Sequence, residues 1–152
     1  MKIGIGSDHR GFELKEFLKP ILQNDGYKVK DFGVFSPAAA DYPDIAFALT
    51  NALSSKAISR GILICGSGLG MSIAANKAKG IRACLCLNEK MAKMARNHND
   101  SNVLVLAANF TTKAKAHKIL RVWLQEKFEG GRHRRRIKKI EEYCLSPIRV
   151  KQ

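Results

Sequence analysis

Apolar residues fall into short runs and staggered faces that alternate along the chain. KIGIG (residues 2–6) reads as a strand. Phe12, Leu14, Phe17, Leu18, Ile21 and Leu22 follow at near-helical spacing, and Asn24-Asp25-Gly26 ends the run. Pro20 inside it is a candidate kink. YKVKDFG (27–33) alternates as a strand, and DYPDIAFALTNALSS (41–55) reads as a helix with Pro43 near its start. GILIC (61–65) is continuously apolar, as a strand buried on both faces must be. The later pattern predicts helices over 71–78, 89–97, 111–128 and 134–144, and strands over 81–87 and 102–108. Five strands alternating with helices imply an α/β fold, an open parallel doubly wound sheet with helices in the outer layers. No repeat or linker breaks the order, so residues 1–152 are expected to form one domain.

In such sheets ligands bind beyond the carboxyl ends of the strands. That rule selects loops beginning at Ser7-Asp8-His9, Cys65, Asn88 and Ala107, and the reactive side chains gather at the first two. RNHNDSN (96–102) instead opens the last strand.

In ILICGSGLGMSIAANK (62–77) a strand ends in a thiol, and Gly66, Gly68 and Gly70 follow at alternate positions. Such a turn can gather backbone amides into an anion-binding nest ahead of the next helix. Amides in that setting also favour the thiolate form of a cysteine. Cys65 then reads either as a base beside a site for developing negative charge or as a small buried residue closing a core strand. Ser67 reads as a proton shuttle or as a polar loop residue capping the helix. Known phosphate loops do not fit. The G-x-x-x-x-G-K-[ST] sequence is absent, and in G-x-G-x-x-G terms the third glycine comes one residue early. A tyrosine-phosphatase-like loop would need arginine where Met71 stands.

Composition adds three constraints. No apolar stretch approaches the roughly 20 residues that cross a bilayer, and the first residues lack a signal-peptide core, so a cytoplasmic protein is expected. Cys65, Cys84, Cys86 and Cys144 match no zinc module and read as free thiols. Cys84 and Cys86 share one strand face and read as core, and Cys144 as incidental. The net charge of +14 is lopsided: residues 1–75 hold 8 Lys/Arg against 7 Asp/Glu, and residues 76–152 hold 19 against 6. A basic half fits either a nucleic-acid partner or the surroundings of an anion site.

GSDHRGFELK, DYPD, ILICGSGLGMSIAANK, GIRACLCL, NHNDSNVLVL and EGGRHRRR, in this order, resemble type B ribose-5-phosphate isomerases and their galactose-6-phosphate isomerase relatives. The resemblance runs from about residue 2 to about 143. It implies a three-layer, flavodoxin-like fold and a cofactor-independent, metal-free aldose–ketose isomerase. It also implies a homodimer, or a tetramer built from it, with each active site drawn from both subunits.

By that resemblance Cys65 is the carbon base, Ser67 stands where threonine is usual, and His98 opens the furanose ring with Asp8 as its counterpart. Some relatives use a glutamate where this chain has Met71. Tyr42, Asn99 and the loop residues Gly66, Gly68, Leu69 and Gly70 fall at substrate-contact positions, and His9, Arg132 and Arg136 at phosphate positions. Asn109 stands where relatives often carry a further phosphate arginine, so either Arg134 or Arg135 substitutes for it or phosphate binding is weaker. His117 and His133 read as surface residues, and Met91 and Met94 as helical core or interface.

Ribose 5-phosphate is the expected substrate. A six-carbon sugar phosphate, a non-catalytic sugar-phosphate module and a nucleic-acid binder are the competing readings. The last leaves Cys65 and His98 without work, and aromatic residues are only 7% of the chain.

Overall fold

The computed structural model describes residues 1–143. The chain runs β1 (Lys2–Ser7), α1 (Phe12–Asn24), β2 (Lys28–Asp31), α2 (Tyr42–Ser54), β3 (Arg60–Cys65), α3 (Leu69–Ala75), β4 (Ala83–Leu85), α4 (Glu89–Asn99), β5 (Val103–Ala107), α5 (Lys113–Gln125) and α6 (Gly131–Tyr143). Cys144, and with it the end of the helix expected to 144, lies outside the described residues.

All strand pairs are parallel, in the order β2-β1-β3-β5-β4. The expected five-stranded, flavodoxin-like α/β architecture is therefore present, with β5 inserted between β3 and β4. Side chains alternate across the sheet and define its two covered faces. Ile3, Ile5, Ile62, Ile64, Leu104 and Leu106 pack with Leu18, Ala92, Ile119 and Trp123 of α1, α4 and α5. Leu63, Cys65, Val103 and Val105 face the other way, against Leu49 of α2 and Met71 and Ala75 of α3. Each fully buried Leu or Ile stabilises the fold by about 1.5–3 kcal/mol.

α1 continues through Pro20, which sits on its exposed face, so the candidate kink is not realised. Lys15 on the same helix is fully buried. Its ammonium meets Asp31 at 2.9 and 2.7 Å and Glu16 at 2.9 Å, and Lys19 also reaches Asp31 at 2.7 Å. Burial of Asp31 works against its charged form, but hydrogen bonds from Lys15, Lys19 and the Gly33 amide outweigh it and hold the carboxyl below its ordinary pKa. The cluster ties α1 to the edge strand β2 and so fixes the loop after β1.

α6 starts at Gly131, three residues before its predicted start, because Gly130 and Gly131 take positive φ (72° and 53°) and turn the chain into the helix. Arg132 is therefore helical along with Arg136. Among the described residues no helix is long and apolar enough to cross a membrane.

Candidate active site

The sheet's change of winding falls between β1 and β3. Ser7 pairs with Ile64 and the Asp8 amide donates to the Ile64 carbonyl, so the loops after the two strands lie side by side. A cavity of about 230 Å³ opens there, lined by Asp8, Arg10, Tyr42, Cys65, Gly66, Ser67, Gly70 and Asn109. It is smaller than the roughly 300–1,000 Å³ of typical ligand sites.

Cys65 is 4% exposed, and the Gly68 amide donates to its Sγ at 3.2 Å. Gly68 holds φ at +76°, and a Cβ there would lie 2.4 Å from Leu85 Cδ1, so this turn requires glycine. The thiol thus ends a core strand and also meets a loop amide at the cavity. Ser67 Oγ accepts from the Leu69 amide at 3.3 Å while Ser67 lines the cavity. The Tyr42 ring closes over Gly70. The Leu69 side chain is exposed and outside the cavity lining.

Asp8 is buried and its Oδ1 accepts the amides of Arg10 and Gly11, both at 3.0 Å. This turn leads into α1, and Oδ2 has no donor among the described residues. His9 Nδ1 accepts the Ala40 amide at 3.4 Å, so Nε2 carries the proton of the neutral ring. His9 lines a second cavity of about 360 Å³, with Arg10, Asn109, Thr111 and Lys113.

His98 and Asn99 lie elsewhere. They end α4, just before β5, at the opposite end of the sheet from Cys65. His133, expected at the surface, is 7% exposed, because α6 packs it flat against His98 with ring centroids 4.3 Å apart and planes 4° from parallel. Burial, then the neighbouring His98, holds the His133 pKa below its ordinary value. Glu129 Oε2 lies 3.9 Å from His98 Nε2 and 3.8 Å from His133 Nε2. Glu129 is held by its own amide, which donates to the Asn97 carbonyl.

The donor atoms of His98, Glu129 and His133 lie within 4.8 Å of one another. A metal bound in the plane of one imidazole would lie out of the plane of the stacked partner, so the parallel rings do not form a ready metal site. His117 is half-buried and lies apart from both clusters.

Arg132 and Arg136 are exposed, share a face of α6 and have no carboxylate partner among the described residues. Arg134 sits 5.9 Å from the Phe128 ring centroid. Neither Arg134 nor Arg135 lines the cavities beside Asn109, so neither fills that position within one chain. Cys86 is buried and Cys84 partly so in the core, and burial pushes the Cys86 thiol up to about 12. Met91 and Met94 are 39% and 45% exposed and are not core residues of this chain.

Sequence reasoning therefore missed three side chains: Arg10, His133 and Glu129. HRG and GGRH are visible in the sequence, but the packing of α6 on α4 is not.

The fold and site thus define an α/β protein whose doubly wound parallel sheet carries a thiol and a glycine loop at its switch point, where such sheets bind their ligands. The chain belongs to the Ribose/Galactose Isomerase family, whose model matches residues 3–140. It is 42% identical over 139 residues to ribose-5-phosphate isomerase B of Escherichia coli, covering 91% of this chain and 93% of that protein. The solved ribose-5-phosphate isomerase B of Clostridium thermocellum superposes with a TM-score of 0.94 at 48% identity, over 95% of this chain and 98% of that one. The Mycoplasma genitalium enzyme, solved with bound ribulose-5-phosphate, superposes with a TM-score of 0.91 at 42% identity, over 95% and 97%.

Proposed function

We propose that this chain interconverts ribose 5-phosphate and ribulose 5-phosphate. The observation that carries the reading is the Cys65 thiol meeting the Gly68 amide at the mouth of the switch-point cavity. It is supported by similarity to an enzyme solved with ribulose-5-phosphate.

The Cys65 thiolate removes the proton from C2 of the open-chain aldose. Electrons move into an enediolate, whose oxygen faces the loop amides of residues 66–70. The Ser67 hydroxyl relays a proton between the two adjacent oxygens, and the thiol returns its proton to C1. C1 is reduced as C2 is oxidised, so the electrons balance within one molecule and no redox partner is needed. His98 and Asp8 open the furanose ring first. His9, Arg132 and Arg136 hold the phosphate, and Tyr42 and Asn99 contact the sugar.

His98, Asn99, Arg132 and Arg136 cannot meet Cys65 within one chain, so the working unit is a homodimer in which the partner subunit's α4 and α6 complete each site. The small cavity around Cys65 supports this, as do the exposed Leu69 and Ile73, four residues apart at the start of α3. The whole chain acts as one domain in the cytoplasm.

Steady-state turnover of purified protein on pentose and hexose phosphates tests the reading. Ribose 5-phosphate should give the highest kcat/KM. Turnover of none of them would overturn the isomerase assignment, and a preference for a hexose phosphate would move it to the six-carbon branch.

A further inference from the structure

Arg10 and Asn109 are the two residues that line both the Cys65 cavity and the His9 cavity. They form the divide between them. A Cβ built on Gly66 would lie 2.9 Å from Arg10 Cδ and 3.1 Å from Asn109 Nδ2, so both side chains converge on one point above the loop. The Arg10 backbone is fixed there by the bond from its amide to Asp8 Oδ1. Arg10 is exposed, and its guanidinium has no hydrogen-bond or salt-bridge partner among the described residues, while its stem runs over Gly66.

The second cavity has the character of an anion site. His9 presents its Nε2–H. Lys113 opens the 13-residue helix α5, whose amino end faces Thr112, its cap. Thr111 is 6% exposed, and its buried Oγ1 has no hydrogen-bond partner. Glu13 is the one carboxylate in the lining, against three basic side chains.

From this we infer that Arg10 is a phosphate-binding residue on the chain that carries Cys65: the sugar's reacting carbons lie in the first cavity and its phosphate in the second, clasped by the Arg10 fork across the divide. This deepens the isomerase reading and rests on it for the identity of the substrate. An arginine suits the position because its planar donors match two phosphate oxygens at once. The Asn109 amide beside it is short and uncharged, which leaves room for the guanidinium.

The test compares the wild type, Arg10→Ala and the double variant Arg10→Ala/Asn109→Arg. Two readouts are used: steady-state kinetics on ribose 5-phosphate, and calorimetric binding of inorganic phosphate, which needs no turnover. Arg10→Ala should raise KM and weaken phosphate binding about ten- to a hundredfold, with a much smaller change in kcat. The double variant should recover most of both, because position 109 faces the same point above Gly66. Phosphate binding unchanged in Arg10→Ala, or absent from the wild type, would overturn the assignment. Normal phosphate binding by a wild type that turns over no sugar phosphate would instead overturn the isomerase reading and leave the anion site standing.

Discussion

Cys65 and His98 stand at opposite ends of one sheet. Cys65 pairs with Ala107 at the carboxyl end, whereas His98 precedes Val103, which pairs with Gly61 at the amino end. At about 3.3 Å per residue, β5 alone spans about 13 Å between its first and last residues. Neither residue can reach a sugar held by the other in the same chain. If both act, each site joins Cys65 of one subunit to the partner subunit's His98.

That requirement predicts complementation. Cys65→Ala and His98→Asn should each be nearly inactive. Refolded together in equal amounts, they should recover about a quarter of wild-type turnover, since half the two-fold dimers carry one intact site of two. A mixture no more active than its parts would place both residues in one chain's site or remove one from catalysis.

His98→Asn should divide the reaction into its parts. Ribose 5-phosphate enters as a ring that must open, while ribulose 5-phosphate has no furanose ring. Turnover of the aldose should fall by about 10²-fold or more. Solvent deuterium should still wash into ribulose 5-phosphate at a rate much nearer the wild type. Equal losses in both measurements would move His98 from ring opening to proton transfer at carbon.

The arginines of α6 separate by position. Arg132 and Arg136 share a helix face, and each charge-assisted phosphate contact is worth about 1.5–3 kcal/mol. Arg132→Ala and Arg136→Ala should each cut kcat/KM about 10- to 100-fold. Arg134→Ala and Arg135→Ala should change it little. Uniformly small effects across all four would make the run generic positive charge, and a salt-sensitive affinity for nucleic acid would then become its better explanation.

The Lys15–Asp31 pair predicts a stability effect remote from catalysis. Asp31→Ala leaves a fully buried ammonium with only Glu16 beside it, and should cost about 3 kcal/mol in a denaturant titration. Because the folded-state pKa of Asp31 lies below its unfolded value, its contribution is complete above the unfolded carboxylate pKa. That contribution declines as pH falls through that value toward the lower folded one. The variant's loss should therefore shrink in acid. A loss independent of pH would remove the ion pair as its cause.

The sheet and its loop were legible because buried parallel strands are apolar throughout, as in GILIC and NVLVLAA, and because a glycine at every second position has few other uses. What escaped was non-local. Nothing in the local pattern says that β5 enters between β3 and β4. Lys15 reads as a surface lysine until Asp31, sixteen residues away, is folded beside it. His133 reads the same way until α6 lays it on His98. Arg10 is one cation among 27 Lys and Arg, and gains a role only when Gly66 and Asn109 converge on it.

The central claim, that Cys65 is the base that moves the carbon-bound proton, is tested most directly by the rate of Cys65→Ala on ribose 5-phosphate, with phosphate binding measured on the same sample. Met71, fully buried and six residues further on in α3, has no group to take the proton. The rate should fall by about 10²–10⁴-fold or more while phosphate binding stays at the wild-type level. A near-normal rate would contradict the account.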